Sequence, residues 1–224
     1  MKLYDYVLSG NCYKIRLFAA LLGIPYETVA VDLYPGKEQT RPAFLRLNPA
    51  GTLPVLQDGD LTLTDSSAIL TYLARRHDPT GQWCPQDPEL LAQLVGWLSF
   101  ADDLTRTSGA ARLHAIFKKP IDSVAAQKGA HALLRRLELH LCDQEFDDSS
   151  FLLGKAPTIA DIACFPYVAL APDGGVELDG YAAVQRWIYA IRKLDGFLPM
   201  PGIHPLHEHP DKPLPEGLNA RLEA

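Results

Sequence analysis

The chain has 224 residues, 47% of them hydrophobic and 21% charged, and its 21 Lys+Arg against 27 Asp+Glu give a net charge of −6. These values exclude a disordered chain, a collagen-like chain and a disulfide scaffold. They suit one large domain or two small ones, and a pI near 5.6 excludes a nucleic-acid partner, which needs basic residues to meet its phosphates.

In chain order, Leu3–Val7 reads as a strand and Asn11–Leu22 as a helix, closed by Gly23 and Pro25. Glu27–Asp32 is a second strand and Pro42–Leu47 a short helix. Pro54–Gln57 and Thr62–Leu63 are strands joined by the turn signal Asp58-Gly59, and Asp65–Arg76 is a helix. The order β-α-β-α-β-β-α predicts a parallel pair with a crossover, followed by an antiparallel hairpin. The run from Asp78 to Pro85 has the Pro and Gly of a linker. The chain therefore divides into residues 1–78, a linker at 79–86, and residues 87–224. Charge divides with it: residues 1–78 carry eight basic and eight acidic residues, so the whole excess of acid lies beyond them.

The later part reads as helical. Leu90, Leu94, Trp97, Leu98 and Ala101 recur at helical spacing, as do Ala130, Leu133, Leu134, Leu137 and Leu141. Thr158-Ile159-Ala160-Asp161 is a capping-box variant opening an apolar helix, and Tyr181–Leu194 is a further helix. Six of the 18 prolines fall between Pro199 and Pro215, which predicts an extended strap anchored by Phe197, Leu198, Met200 and Ile203, or else a loose tail. His204-x-x-His207-x-His209 lies in that tail without a rigid frame or completing ligands, so no metal is expected there. No stretch reaches the ~18 apolar residues that span a bilayer, and the start Met1-Lys2-Leu3-Tyr4-Asp5 has no hydrophobic signal segment, so the cytoplasm is expected. Cys12, Cys84, Cys142 and Cys164 are widely spaced, which argues against disulfides and metal fingers.

Three short motifs carry the chemistry. Ser9-Gly10-Asn11 stands between a strand and a helix, where free N–H groups favour an anion; taken alone, helix capping is the commoner use of such residues. In Asn48-Pro49-Ala50-Gly51-Thr52-Leu53-Pro54, a cis Leu53–Pro54 bond would present the Leu53 backbone to an extended peptide. Asp65-Ser66, where a strand passes into a helix, offers a carboxylate for an ammonium and a hydroxyl with N–H groups for a carboxylate, the two charges of an amino-acid head; simple helix capping is the alternative.

In order, spacing and position these motifs, with Thr158-Ile159-Ala160-Asp161, resemble the glutathione transferase family. The resemblance implies a thioredoxin-like N-terminal domain followed by an all-helical C-terminal domain. It implies glutathione as co-substrate, no metal, a small hydrophobic electrophile and a homodimer. Asp65 and Ser66 would hold the γ-glutamyl end and Leu53, before cis Pro54, the cysteinyl backbone. Gln39, with Lys37 as rival, would meet the glycine carboxylate. Ser9 is similar to the serine of theta- and zeta-type members, and Asn11 shares its role in nu-type members. Tyr4 and Tyr6 sit on the strand rather than at its turn, and Cys12 lies one residue past the place that cysteine-type members use. The electrophile would lie between the domains, at Tyr13, Leu104, Arg106 and Ala110. Glutathione-dependent disulfide or peroxide reduction and a non-catalytic binding role are the alternatives to conjugation.

Overall fold

The computed structural model describes residues 1–204 and Leu206. Four strands form one sheet in the order β2-β1-β3-β4: β1 Lys2–Asp5, β2 Glu27–Ala30, β3 Val55–Asp58 and β4 Leu61–Leu63. β1 pairs with β2 in parallel and with β3 antiparallel, and β3 pairs with β4 antiparallel. α1 Gly10–Leu21, α2 Pro42–Leu47 and α3 Ser66–His77 complete the unit in the predicted order.

Strand alternation sends side chains to two faces. Leu3 and Leu56 join the main core with Phe18, Ile69 and Leu73 of α1 and α3. Tyr4 and Val55 face the other way, toward Phe44 of α2. The result is a thioredoxin-like domain with the sheet between α1 and α3 on one side and α2 on the other.

The remainder is helical: α4 Pro88–Leu104, α5 Ala110–Phe117, α6 Ser123–Phe146, α7 Ile159–Ala169 and α8 Ala182–Arg192. α7 is the central element and packs against α1, α3 and α4. Its capping box is formed, with Thr158 and Asp161 satisfying each other's backbone N–H groups. α4 does not stop at Leu104. A π-turn, Thr105–Gly109, carries it into α5 without leaving helical dihedrals. The tail doubles back at a Met200–Ile203 bridge, with both side chains buried, so the strap is anchored as expected as far as it is described. His204 is exposed, while His207 and His209 lie outside the described residues. Among the described residues no cluster of three His, Cys, Asp or Glu could hold a metal ion, and no helix is long and apolar enough to cross a membrane.

One core position runs against hydrophobic patterning. Lys14 of α1 is fully buried, and its Nζ has no hydrogen-bond partner among the described residues, standing 5.6 Å from the Tyr167 ring centroid of α7. Burial pushes its amine from 10.5 down to about 8. Between those values the unfolded chain holds a proton that the folded chain does not, so stability rises with pH across that window. Below about pH 8 the destabilisation is present in full. Lys14→Met is therefore expected to stabilise the protein at pH 7 by about 3 kcal/mol, with the gain vanishing above pH 10. Thermal melts of both proteins at the two pH values check this; equal melting temperatures at pH 7 would refute it.

Candidate active site

Strand directions bring the predicted segments together. Tyr4 of β1 is opposite Val55 of β3, so the C-terminal end of β1 and the N-terminal end of β3 share one edge of the sheet. β4 runs against β3, with Leu63 opposite Leu56, and therefore also ends there. β2, parallel to β1, points the same way. Ser9 follows β1, Leu53 precedes β3, Asp65 follows β4, and Lys37 and Gln39 lie in the connection leaving β2. All four segments rim one end of the sheet.

Ser9 is the N-cap of α1, and its Oγ accepts the Cys12 N–H at 3.2 Å. That contact uses a lone pair and leaves the hydroxyl proton free to donate. The first turn of α1 holds no acidic residue, so nothing offsets the positive end of the helix. Asn11 buries Oδ1 without a partner among the described residues. Gly10 brings α1 so close to α7 that a Cβ there would lie 2.8 Å from the Tyr167 ring.

Tyr4 is committed elsewhere, donating to Gln57 Oε1 at 2.9 Å. Burial and the nearby Asp32 carboxylate push the Tyr6 phenol up, so it stays protonated. Cys12 is fully buried, and burial pushes its thiol up to about 12. It stays a neutral thiol at pH 7 and cannot serve as a nucleophile.

Leu53–Pro54 is cis, and neither backbone polar group of Leu53 has a partner among the described residues. Asp65 caps α3, its Oδ1 accepting the Ala68 N–H at 2.8 Å. Oδ2 is left over, as is the Ser66 hydroxyl among the described residues. Capping and ligand binding are thus compatible at Asp65, because a carboxylate has two oxygens. Gln39 sits in a 3-10 turn with Oε1 buried and unpartnered among the described residues, while Lys37 is exposed.

The expected electrophile pocket needs correction. Tyr13 and Leu104 are fully buried, and the Tyr13 hydroxyl donates to the Leu198 carbonyl, so neither can line an open cleft. Arg106 is exposed and ion-paired with Asp103, and Ala110 is half-buried. An apolar surface does exist at the same end of the sheet. Phe117 of α5 meets Tyr34 at 4.9 Å and Tyr6 at 6.3 Å between ring centroids. Val7, Tyr34 and Leu113 stay exposed. Sequence reading missed this surface; three aromatics from three segments carry no common periodicity, and only their ring contacts in the fold mark them.

The fold is that of a thioredoxin-like domain followed by a helical second part. A family model described as the glutathione S-transferase N-terminal domain matches residues 8–76. The chain is 34% identical over 194 residues to human glutathione S-transferase theta-1, covering 84% of this chain and 80% of that protein. It is 30% identical over 190 residues to maleylacetoacetate isomerase of Pseudomonas aeruginosa, covering 83% and 88%. A crystal structure of glutathione S-transferase from Pseudomonas fluorescens superposes with a TM-score of 0.78 at 32% identity, covering 89% of this chain and 98% of that one. The chain belongs to the glutathione S-transferase family, and it is an enzyme that conjugates glutathione as its co-substrate.

Proposed function

We propose that Ser9 activates the glutathione thiol for attack on a small hydrophobic electrophile. The Ser9 hydroxyl at the positive end of α1, whose contact with the Cys12 N–H uses a lone pair and not its proton, carries this reading. A free thiol has a pKa of about 8.5, so only a few per cent is thiolate at neutral pH. A hydroxyl donor and a helix N-terminus together favour the thiolate by about one to two units. Ser9 acts as donor rather than base, and Asn11 assists it. Leu53 pairs with the cysteinyl backbone beside Pro54, and Asp65 and Ser66 hold the γ-glutamyl end. Gln39, or Lys37 in its place, donates to the glycine carboxylate. The electrophile rests on Tyr6, Tyr34 and Phe117; Leu113 and Ala110 lie on the Phe117 face of α5, one and two turns earlier.

Residues 1–78 form the glutathione-binding unit and the described residues from 87 onward the helical one, joined at 79–86. Four free cysteines suit a reducing cytoplasm. Calorimetry with glutathione, then an assay panel with an aryl halide, a peroxide and a mixed disulfide, tests the function. Turnover of the peroxide or disulfide alone would favour the reductase reading.

A homodimer is also expected. A neutral first part can meet an acidic second part without like-charge repulsion. Leu61 of β4 and Leu90 and Val95 of α4 are large apolar side chains left exposed. Light scattering should give twice the chain mass; a monomer would overturn this.

A further inference from the structure

Arg112 lies on α5 with only 5% of its surface exposed. Its Nη1 donates to the Leu8 carbonyl at 2.7 Å, and its Nε donates to Asp173 Oδ2 at 2.9 Å. Asp173 belongs to a 3-10 turn, Ala171–Gly174, that packs directly on α5. There a Cβ on Gly174 would lie 2.8 Å from the Arg112 amide nitrogen. A buried guanidinium is tolerated only when paired, and here one partner is the residue just before Ser9.

The Leu8–Ser9 peptide is held at both ends. Its carbonyl is bound by Arg112, and its N–H donates to the Tyr6 carbonyl at 2.9 Å. The two carbonyls before it are also held: Arg16 of α1 donates to Val7 at 2.9 Å and to Tyr6 at 3.4 Å. Arg16 is in turn ion-paired with Asp5 at the end of β1. The turn that carries Ser9 is therefore gripped by two arginines, one from its own helix and one from the helical part of the chain, 104 residues further on. Because a peptide unit is planar, fixing its C=O and N–H fixes where the Ser9 Cα sits, and the bonds that Ser9 accepts from α1, at its carbonyl from the Tyr13 N–H and at Oγ from the Cys12 N–H, set the rotation about that Cα.

We propose that Arg112 is a positioning residue for conjugation, which aims the Ser9 hydroxyl by holding the Leu8 carbonyl from the helical part of the chain. The proposal rests on Ser9 as thiol donor. The ionisable groups facing the guanidinium are Asp173 on the 3-10 turn, Tyr6 beyond β1 and Tyr167 on α7. Burial pushes the Tyr167 phenol up to about 12, and Tyr6 is also pushed up, so both stay neutral near pH 7 and Asp173 alone offsets the charge.

The test is a double-mutant cycle on the full chain with Ser9→Ala, Arg112→Met and the pair combined, with Arg112→Lys alongside. Glutathione and chlorodinitrobenzene are the substrates, and the ultraviolet absorbance of the bound thiolate is titrated in parallel. Arg112→Met is expected to lower kcat about tenfold and raise the bound thiol's pKa, with KM for glutathione within about twofold. Arg112→Lys should recover part of the loss, since an ammonium can still donate to the carbonyl. Combined with Ser9→Ala, Arg112→Met should add nothing, because it acts through Ser9. Losses that multiply, or unchanged kcat in folded Arg112→Met beside an impaired Ser9→Ala, overturn the proposal and leave the Ser9 reading standing. An inert Ser9→Ala overturns both. Should Arg112→Met not fold, Asp173→Asn keeps the shape while weakening the hold; a loss of about threefold in kcat is expected and an unchanged kcat refutes the proposal.

Discussion

Ser9→Ala is expected to lower kcat for conjugation by about ten- to a hundredfold, which is what one lost hydrogen bond to a charged group is worth when fully expressed in the transition state. Glutathione affinity should change little, because the binding contacts proposed above fall to Leu53, Asp65 and Ser66. The pH profile should move with the rate: without the hydroxyl the bound thiol's pKa rises, so activity recovers toward alkaline pH. The variant also loses the cap on the Cys12 N–H, which costs about 1 kcal/mol of stability and is read separately in a melt. Ser9→Thr keeps both cap and donor and should keep most of the activity. Asn11→Ala should cost less. Cys12→Ala should be nearly silent, since a fully buried neutral thiol does no chemistry. A silent Ser9→Ala together with an inactive Cys12→Ala would reverse the assignment.

The thioredoxin-like part was legible because its signals are local. Ser9 and Asp65 are both at once cap residues and strand-end residues, and both were found at N-caps. The predicted strands ran too long at the site: β1 stops at Asp5 and not Val7, because the carbonyls of Tyr6, Val7 and Leu8 turn to arginines rather than to a neighbouring strand. The second-substrate reading failed at the π-turn. Leu94, Ala101 and Leu104 form one buried stripe on α4, and extending that periodicity past Leu104 keeps the same face. A π-turn inserts a residue and rotates the face that follows. The exposed apolar face of α5 therefore begins only after it, and although Thr105–Gly109 contains Thr, Ser and Gly, no side chain makes a cap bond there and no proline announces the change. Tyr13 was misplaced for another reason: its partner, the Leu198 carbonyl, is 185 residues away. The charged core residue Lys14 and the Arg112–Leu8 contact depend in the same way on α7 and α5 closing over α1, which no local pattern encodes.

The largest effect on stability is expected at Asp161. Its carboxylate is fully buried and accepts four hydrogen bonds. Oδ1 takes the Leu152 N–H and the Trp187 Nε1–H, each at 2.9 Å, and Oδ2 takes the Thr158 N–H at 2.8 Å and the Thr158 hydroxyl at 3.2 Å. One side chain thus joins the start of α7, the segment before it and α8. Asp161→Ala leaves at least three buried donors without an acceptor, each costing about 1–3 kcal/mol. A loss of about 4 kcal/mol or more follows, which lowers the melting temperature of a chain this size by roughly ten degrees. Asp161→Asn is no rescue on the Oδ2 side, because an amide N–H there would face two donors rather than accept from them. The effect should separate cleanly from that of Ser9→Ala. Well below the melt, the folded Asp161 variant should turn over at close to the wild-type rate, because Asp161 contacts none of the segments that carry Ser9, Leu53 or Asp65. Scanning calorimetry and initial rates on the same preparations measure both quantities. A variant that melts within about two degrees of wild type would show that the four bonds at Asp161 are replaceable.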